Sequence, residues 1–292
     1  MIGGLRVLPA RFDYQAVSSV EEAVAAKTQG GDETRFLAGG QSLLPMMKLR
    51  FATPAQLVDI NRISGLDTIE RHNGHVQIGA LARHADVAAS HVVSGAVASA
   101  APWIADPLVR NLGTMCGSVA HCDPEGDWNT VLLATGAEIV AQGPSGRRMI
   151  AIDDFVVDFF TNSLSDDEMV IALRIPAPAG ASGGSYQKLE RKVGDYATVG
   201  VAAHLELGSD GSISAAGVAM TSVAPINRKA REAEALLLGN TPSEELFAEA
   251  AAAAAAASAP RDDVRGTARW KRQVVAAFTR RALAEAAEQA QG

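Results

Sequence analysis

Two glycine-bearing loops constrain this chain more than any other feature. The first reads Leu37-Ala38-Gly39-Gly40-Gln41-Ser42-Leu43-Leu44, the second Asn111-Leu112-Gly113-Thr114-Met115-Cys116-Gly117-Ser118. Each adjoins an apolar run and leads into a helix-compatible stretch. Glycine lets the backbone turn with positive φ and lets a ligand approach with no Cβ in the way. Successive N–H groups in such a turn form a nest for anions, and a helix start adds a positive dipole. Two such loops in one domain suit a pyrophosphate gripped from two sides. Neither loop reads G-x-G-x-x-G, so the Rossmann fingerprint is missing, and neither carries G-K-[ST], which excludes a P-loop. An A-G-G-x-S turn by itself fits an ordinary tight turn equally well.

Composition narrows the class. The 292 residues are 48% hydrophobic with a net charge of −7, enough for a sizeable core and with no basic cluster dense enough for nucleic acid. No run of about 18 apolar residues marks a membrane span. Met1 to Tyr14 lacks the pattern of a secretory signal peptide, so a cytoplasmic location is expected. Only two cysteines occur, Cys116 and Cys122. An iron–sulfur cluster normally needs about four thiolates, and structural zinc needs more closely spaced ligands than these. The six histidines show no metal spacing. No metal site is expected in this chain.

The element pattern is α+β. Ser19 and Glu22 read as a capping box opening a helix over 20–27. Strands are expected at 35–37, 56–60, 75–79 and 137–142, with a buried strand at 169–175 ended by Pro176. Helices are expected at 83–90, 94–104 and 129–135, and Ile152 to Phe160 reads as packed aromatics. Gly143-Pro144-Ser145-Gly146 reads as a hairpin turn. The Pro/Gly-rich stretch 176–184 reads as a linker or long connection. Three strands follow, 185–191, 198–207 and 213–221, and then helices near 227–238, 243–257 and 267–290. The division is 1–178 and 179–292.

The second loop continues through Val119-Ala120-His121-Cys122-Asp123-Pro124-Glu125-Gly126-Asp127, and the first through Pro45-Met46-Met47-Lys48. With Tyr186-Gln187-Lys188 and Arg191-Lys192-Val193-Gly194-Asp195-Tyr196-Ala197, these segments resemble, in consistent order over nearly the whole chain, the medium, FAD-binding subunit of the molybdenum hydroxylases. That family includes aerobic carbon monoxide dehydrogenase and the flavin subunits of xanthine, nicotine and quinoline oxidoreductases. Two positions depart from its pattern. Cys116 stands where a glycine is usual, and Ser118 where an asparagine is usual. A cysteine at 116 would be strained if that position needed φ > 0.

The resemblance implies a two-lobed vanillyl-alcohol-oxidase/PCMH-type FAD-binding domain over 1–178. It implies a smaller α+β domain over 179–292, with a three-stranded antiparallel sheet and helices. It also implies non-covalent FAD held by Leu37, Ala38, Gly39, Gly40, Gln41, Ser42, Leu43 and Leu44 on one side and by Thr114, Met115, Cys116, Gly117 and Ser118 on the other. Asp127 matches a residue accepting from flavin hydroxyls. Lys188 matches a lysine near the flavin ring, where a cation favours the reduced, anionic form. Ile104 and Val170 match apolar contacts, and Tyr196 an aromatic beside the ring.

The function so implied is electron transfer. Substrate would be oxidised at a molybdopterin cofactor on a large subunit, and electrons would pass through [2Fe-2S] clusters on a small subunit to FAD here and on to an external acceptor. A dimer of heterotrimers is the expected assembly. A self-contained flavin oxidase and a flavin-free scaffold subunit are the competing readings. Against the first stand a missing substrate domain and a missing flavin-attachment signature.

Overall fold

The computed structural model describes residues 8–292. The first seven residues of the expected 1–178 unit, and half of the segment read for a signal peptide, lie outside the described residues.

The chain begins with a small parallel sheet. Asp13–Ala16 and Thr34–Leu37 flank Gln56–Asp59, and both pair with it in parallel. Helix Val20–Gly30 covers the sheet with Val20, Ala23 and Val24. Ser19 accepts the Glu22 N–H at 3.1 Å, as the capping box requires. The return bond is shifted by one residue: the Glu22 carboxylate accepts from the N–H of Ser18, at 2.8 Å. Thr34–Leu37 runs straight into the first glycine loop.

A five-stranded antiparallel sheet forms the second lobe. Its order is Ile69–His72, His75–Gly79, Met169–Pro176, Glu138–Gly143, Gly146–Ala151. Met169–Pro176 sits at the centre, which explains its nearly unbroken apolar run: both faces are covered. Its pairing with Glu138–Gly143 shifts register between Val170 and Ala172. Short helices pack against it, among them Met115–His121 and Asp127–Thr135. Residues 127–134 of the last are all buried, because the helix lies between this sheet and the next one.

That next sheet is antiparallel in the order Ala181–Leu189, Val199–Leu207, Ile213–Thr221, Arg228–Lys229. It holds the three expected strands and adds a two-residue fourth at a position read as helix. Helices Arg231–Leu237, Glu244–Ala257 and Ala268–Gln291 cover its outer face.

The expected linker is corrected by the structure. Only the segment between Pro176 and Ala181 is outside regular structure, and Gly183 and Gly184 are strand residues. A Cβ on Gly183 would lie 2.0 Å from the Ala286 carbonyl oxygen, and one on Gly184 2.6 Å from the Ala96 nitrogen. These glycines admit helices packed against both faces of the strand; they are not hinges. Gly217 plays the same part towards the Ala134 carbonyl oxygen of helix Asp127–Thr135, at 1.8 Å.

Candidate flavin-binding cleft

The two glycine loops meet on one wall of a cleft of about 1190 Å³. Pockets for drug-sized ligands span about 300–1,000 Å³, so this one admits a ligand of dinucleotide size. Every residue expected to hold FAD lines the cleft except Leu44 and Met115. Met115 is fully buried in the main core, with its N–H bonded to the Ala82 carbonyl. Leu44 lies beside Gly40, its Cδ1 3.0 Å from where a Cβ of Gly40 would stand.

The loops differ in construction. Gly40 has φ +70°, the left-handed turn that favours glycine. Gly39 is required for another reason. A Cβ there would lie 2.2 Å from the Leu112 carbonyl oxygen and 2.7 Å from the Gly113 Cα. The first loop therefore rests directly on the second. The second loop is a capped helix start: the Thr114 hydroxyl accepts the Gly117 N–H at 3.1 Å. Cys116 is an ordinary helical residue, so the strain considered for it does not arise. The cysteine with positive φ is Cys122, at 52°, closing the same helix. The Cys116 sulfur faces the Ile78 and Gly79 carbonyls at 3.7 and 3.5 Å, and burial pushes its thiol far up.

Asp127 and Lys188 border the cleft and bind each other. Lys188 Nζ lies 3.0 Å from Asp127 Oδ2, 3.6 Å from Glu190 Oε2 and 3.0 Å from the Trp103 carbonyl oxygen. The other Asp127 oxygen accepts from the Tyr186 hydroxyl. Burial pushes the Asp127 carboxyl up, and the adjacent Lys188 opposes that shift. Tyr186 is driven well above its usual range, by burial first and by Asp127 next. Sequence reasoning gave Asp127 and Lys188 separate duties toward a cofactor; it did not anticipate their pairing.

Ile104 and Val170 are buried apolar lining. Tyr196 lies at the rim, 46% exposed, and its phenol is pushed up to about 12, by burial first and then by Asp123.

Several lining residues carried no sequence signal. His84 is 5% exposed, and its Nδ1 accepts from the Trp128 indole at 3.0 Å. Burial, with Arg110 and Arg83 nearby, lowers its pKa to about 4, so the imidazole is neutral. Ala105 lines the cleft with φ +44°, and the Arg110 guanidinium donates to its carbonyl at 2.9 Å. Phe160 lines the cleft too, beside His121, with φ +51°. Of the aromatics expected to pack over 152–160, Phe155 is buried, while Phe159 and Phe160 are 58% and 43% exposed and pack edge-to-face on each other with ring centroids 4.5 Å apart.

The residues fit a flavin dinucleotide. A left-handed glycine, a second glycine with no room for a side chain, neutral hydroxyl and N–H donors, and apolar walls line one cleft.

Comparison with known proteins agrees. The family described as "FAD binding domain in molybdopterin dehydrogenase" matches residues 10–178, and "CO dehydrogenase flavoprotein C-terminal domain" matches 184–286. The carbon monoxide dehydrogenase medium chain of Hydrogenophaga pseudoflava is 41% identical over 95% of this chain and 97% of its own. The alpha subunit of the 6-hydroxypseudooxynicotine dehydrogenase complex of Paenarthrobacter nicotinovorans is 36% identical over 97% and 96%. A solved structure of the Hydrogenophaga carbon monoxide dehydrogenase superposes with a TM-score of 0.92 at 42% identity, covering 97% of this chain and 99% of that one. The chain belongs to the FAD-binding medium-subunit family of the molybdenum hydroxylases.

Proposed function

We propose that this chain is the electron-transfer subunit of a molybdenum hydroxylase complex. It holds FAD non-covalently and passes electrons from [2Fe-2S] clusters of a small subunit to an external acceptor. A large subunit carries the molybdopterin cofactor and the substrate pocket. The working assembly is a dimer of heterotrimers. The two functional units are 1–178, with the cofactor loops, and 179–292, which supplies Lys188 and Tyr196. Carbon monoxide dehydrogenase-like chemistry has the most support, because the relative at 41% identity is a carbon monoxide dehydrogenase medium chain.

The observation carrying this reading is the contact of the two glycine loops on one wall of a dinucleotide-sized cleft. When bound, FAD supplies an electron acceptor able to take one or two electrons. The chain's own residues hold and enclose it. Gly39, Gly40 and Ser42 face the pyrophosphate from one loop, and Thr114, Gly117 and Ser118 from the other. Ile104 and Val170 exclude water from the ring, and Tyr196 shields the rim. Two buried thiols are too few for an iron–sulfur cluster, which is why the clusters are assigned to another subunit. Among the described residues no group of His, Cys, Asp and Glu is arranged for a metal, and no helix is long and apolar enough to cross a membrane.

The test is purification of the chain with its co-expressed genomic neighbours, followed by flavin absorbance, metal analysis and subunit stoichiometry. One flavin per chain, with iron and molybdenum on other subunits, is the expected result. A colourless chain in an otherwise intact complex would make it a scaffold, and substrate oxidation by the chain alone would make it a flavin oxidase.

A further inference from the structure

Two side chains behind the cleft tie the glycine loops together. Asn61 Nδ2 donates to the Ala38 carbonyl of the first loop at 2.9 Å. Arg83 Nη2 donates to Asn61 Oδ1 at 2.7 Å, and Arg83 Nη1 donates to the Leu112 carbonyl of the second loop. The chain of bonds runs loop, Asn61, Arg83, loop. Both ends are anchored. Asp59 Oδ1 accepts from the Asn61 backbone and side chain at 2.9 and 2.6 Å. The Arg83 N–H donates to Asp86 at 3.1 Å, and Arg83 pairs with Thr114 as an isolated antiparallel bridge. Neither Asn61 nor Arg83 lines the cleft.

The acceptors are telling. Ala38 precedes Gly39, and Leu112 precedes Gly113, so the strut grips the peptide planes at the point where the loops touch. In a trans peptide the C=O and the following N–H point in opposite directions. Holding the Ala38 oxygen toward Asn61 therefore turns the Gly39 N–H the other way. Gly39 has no side chain to fix its own orientation, and glycine is the residue with the most backbone freedom to lose.

We infer that Arg83 and Asn61 are positioning residues, a strut that sets the spacing of the two loops and the direction of the Gly39 N–H, and so the affinity for the FAD pyrophosphate. This rests on the flavin reading above. The guanidinium fork is essential, because one planar group must reach Asn61 and Leu112 at once.

The test uses the full chain, freed of flavin and titrated with FAD while flavin fluorescence is followed. Arg83→Leu and Asn61→Ala should each raise Kd about 10- to 100-fold, the range expected when a hydrogen bond to a charged group is lost. The double variant should be little worse than either single one, because both break one chain of bonds. Arg83→Lys keeps the charge and loses the fork, so its Kd should stay near that of Arg83→Leu. Thermal melts of the flavin-free proteins identify folded variants, and if Arg83→Leu does not fold, the exposed Asn61→Ala decides alone. Wild-type Kd in the folded single variants overturns the strut, as does full recovery in Arg83→Lys. A wild-type chain that binds no FAD overturns the flavin reading itself, and the strut with it, a distinct result.

Discussion

Lys188 and Asp127 form an ion pair of 3.0 Å whose side chains are 1% and 8% exposed, at the edge of the cleft. Lys188 comes from strand Ala181–Leu189 and Asp127 from the start of helix Asp127–Thr135. The pair therefore joins the C-terminal sheet to the lobe that carries the second glycine loop. Glu190 stands 3.6 Å from the same ammonium group, so a single lysine faces two carboxylates. The Lys188 charge is accordingly balanced by two carboxylates of the chain itself.

Removing that ammonium leaves two carboxylates with little water around them. Lys188→Met should lower the stability of the flavin-free chain by about 3–5 kcal/mol, the usual cost of breaking a buried pair from one side. Adding Asp127→Asn should recover part of the loss. Urea unfolding of the two variants is the measurement. Wild-type stability in Lys188→Met would show that the pair carries no structural weight, and any change in flavin potential could then be assigned to charge alone.

His84 makes stability depend on pH. Its pKa falls from 6.5 to about 4 on folding, by burial first and then through Arg110 and Arg83. The unfolded chain binds a proton below pH 6.5 that the folded chain refuses until about pH 4. Stability from this group is full above pH 6.5 and declines as pH falls toward 4, with a total effect of about 3 kcal/mol. His84→Gln keeps an acceptor for the Trp128 indole and does not titrate. Its unfolding free energy should therefore fall less steeply than the wild type's across that window. Parallel curves would remove His84 as the cause.

The sequence revealed strongly what repeats a local rule. The central strand Met169–Pro176 was visible as an apolar run, and the start of helix Val20–Gly30 from the Ser19 and Glu22 capping pattern. Both loops were visible from their glycines. What stayed hidden depends on contacts distant in the chain. Nothing in Gly183 distinguishes a hinge from a strand residue pressed against Ala286. Arg83 and Asn61 look like surface polar residues until the fold brings Ala38 and Leu112 to them. The same holds for His84, whose partner Trp128 lies 44 residues away. The family pattern carried Asp127 and Lys188 to the cleft, but not the ion pair between them.

The two cysteines should be inert in the folded protein. Cys116 and Cys122 are 2% and 1% exposed, and burial raises both thiols, Cys122 to about 12. The thiolate is the reactive form, so a disulfide reagent at pH 8 should modify neither in the native chain. In denaturant both should react. Rapid native labelling of Cys116 would mean that the second loop opens readily from the Ile78 and Gly79 carbonyls it faces.

Gly39 and Gly40 should fail differently when given a side chain. At Gly40 the difficulty is φ +70°, which costs an L residue about 1–2 kcal/mol, while the nearest atom is the flexible end of Leu44 at 3.0 Å. Gly40→Ala should therefore fold with a modest loss of stability and keep much of its flavin. At Gly39 the obstacle is backbone: the new methyl would lie 2.2 Å from the Leu112 oxygen. A carbonyl held by Arg83 cannot swing aside without breaking that bond, so the loops must separate. Gly39→Ala should lose far more flavin than Gly40→Ala on desalting, read as the ratio of flavin to protein absorbance. Equal retention in the two would mean that loop contact does not govern the grip on the cofactor. Loss confined to Gly40→Ala would place the decisive geometry in the left-handed turn instead.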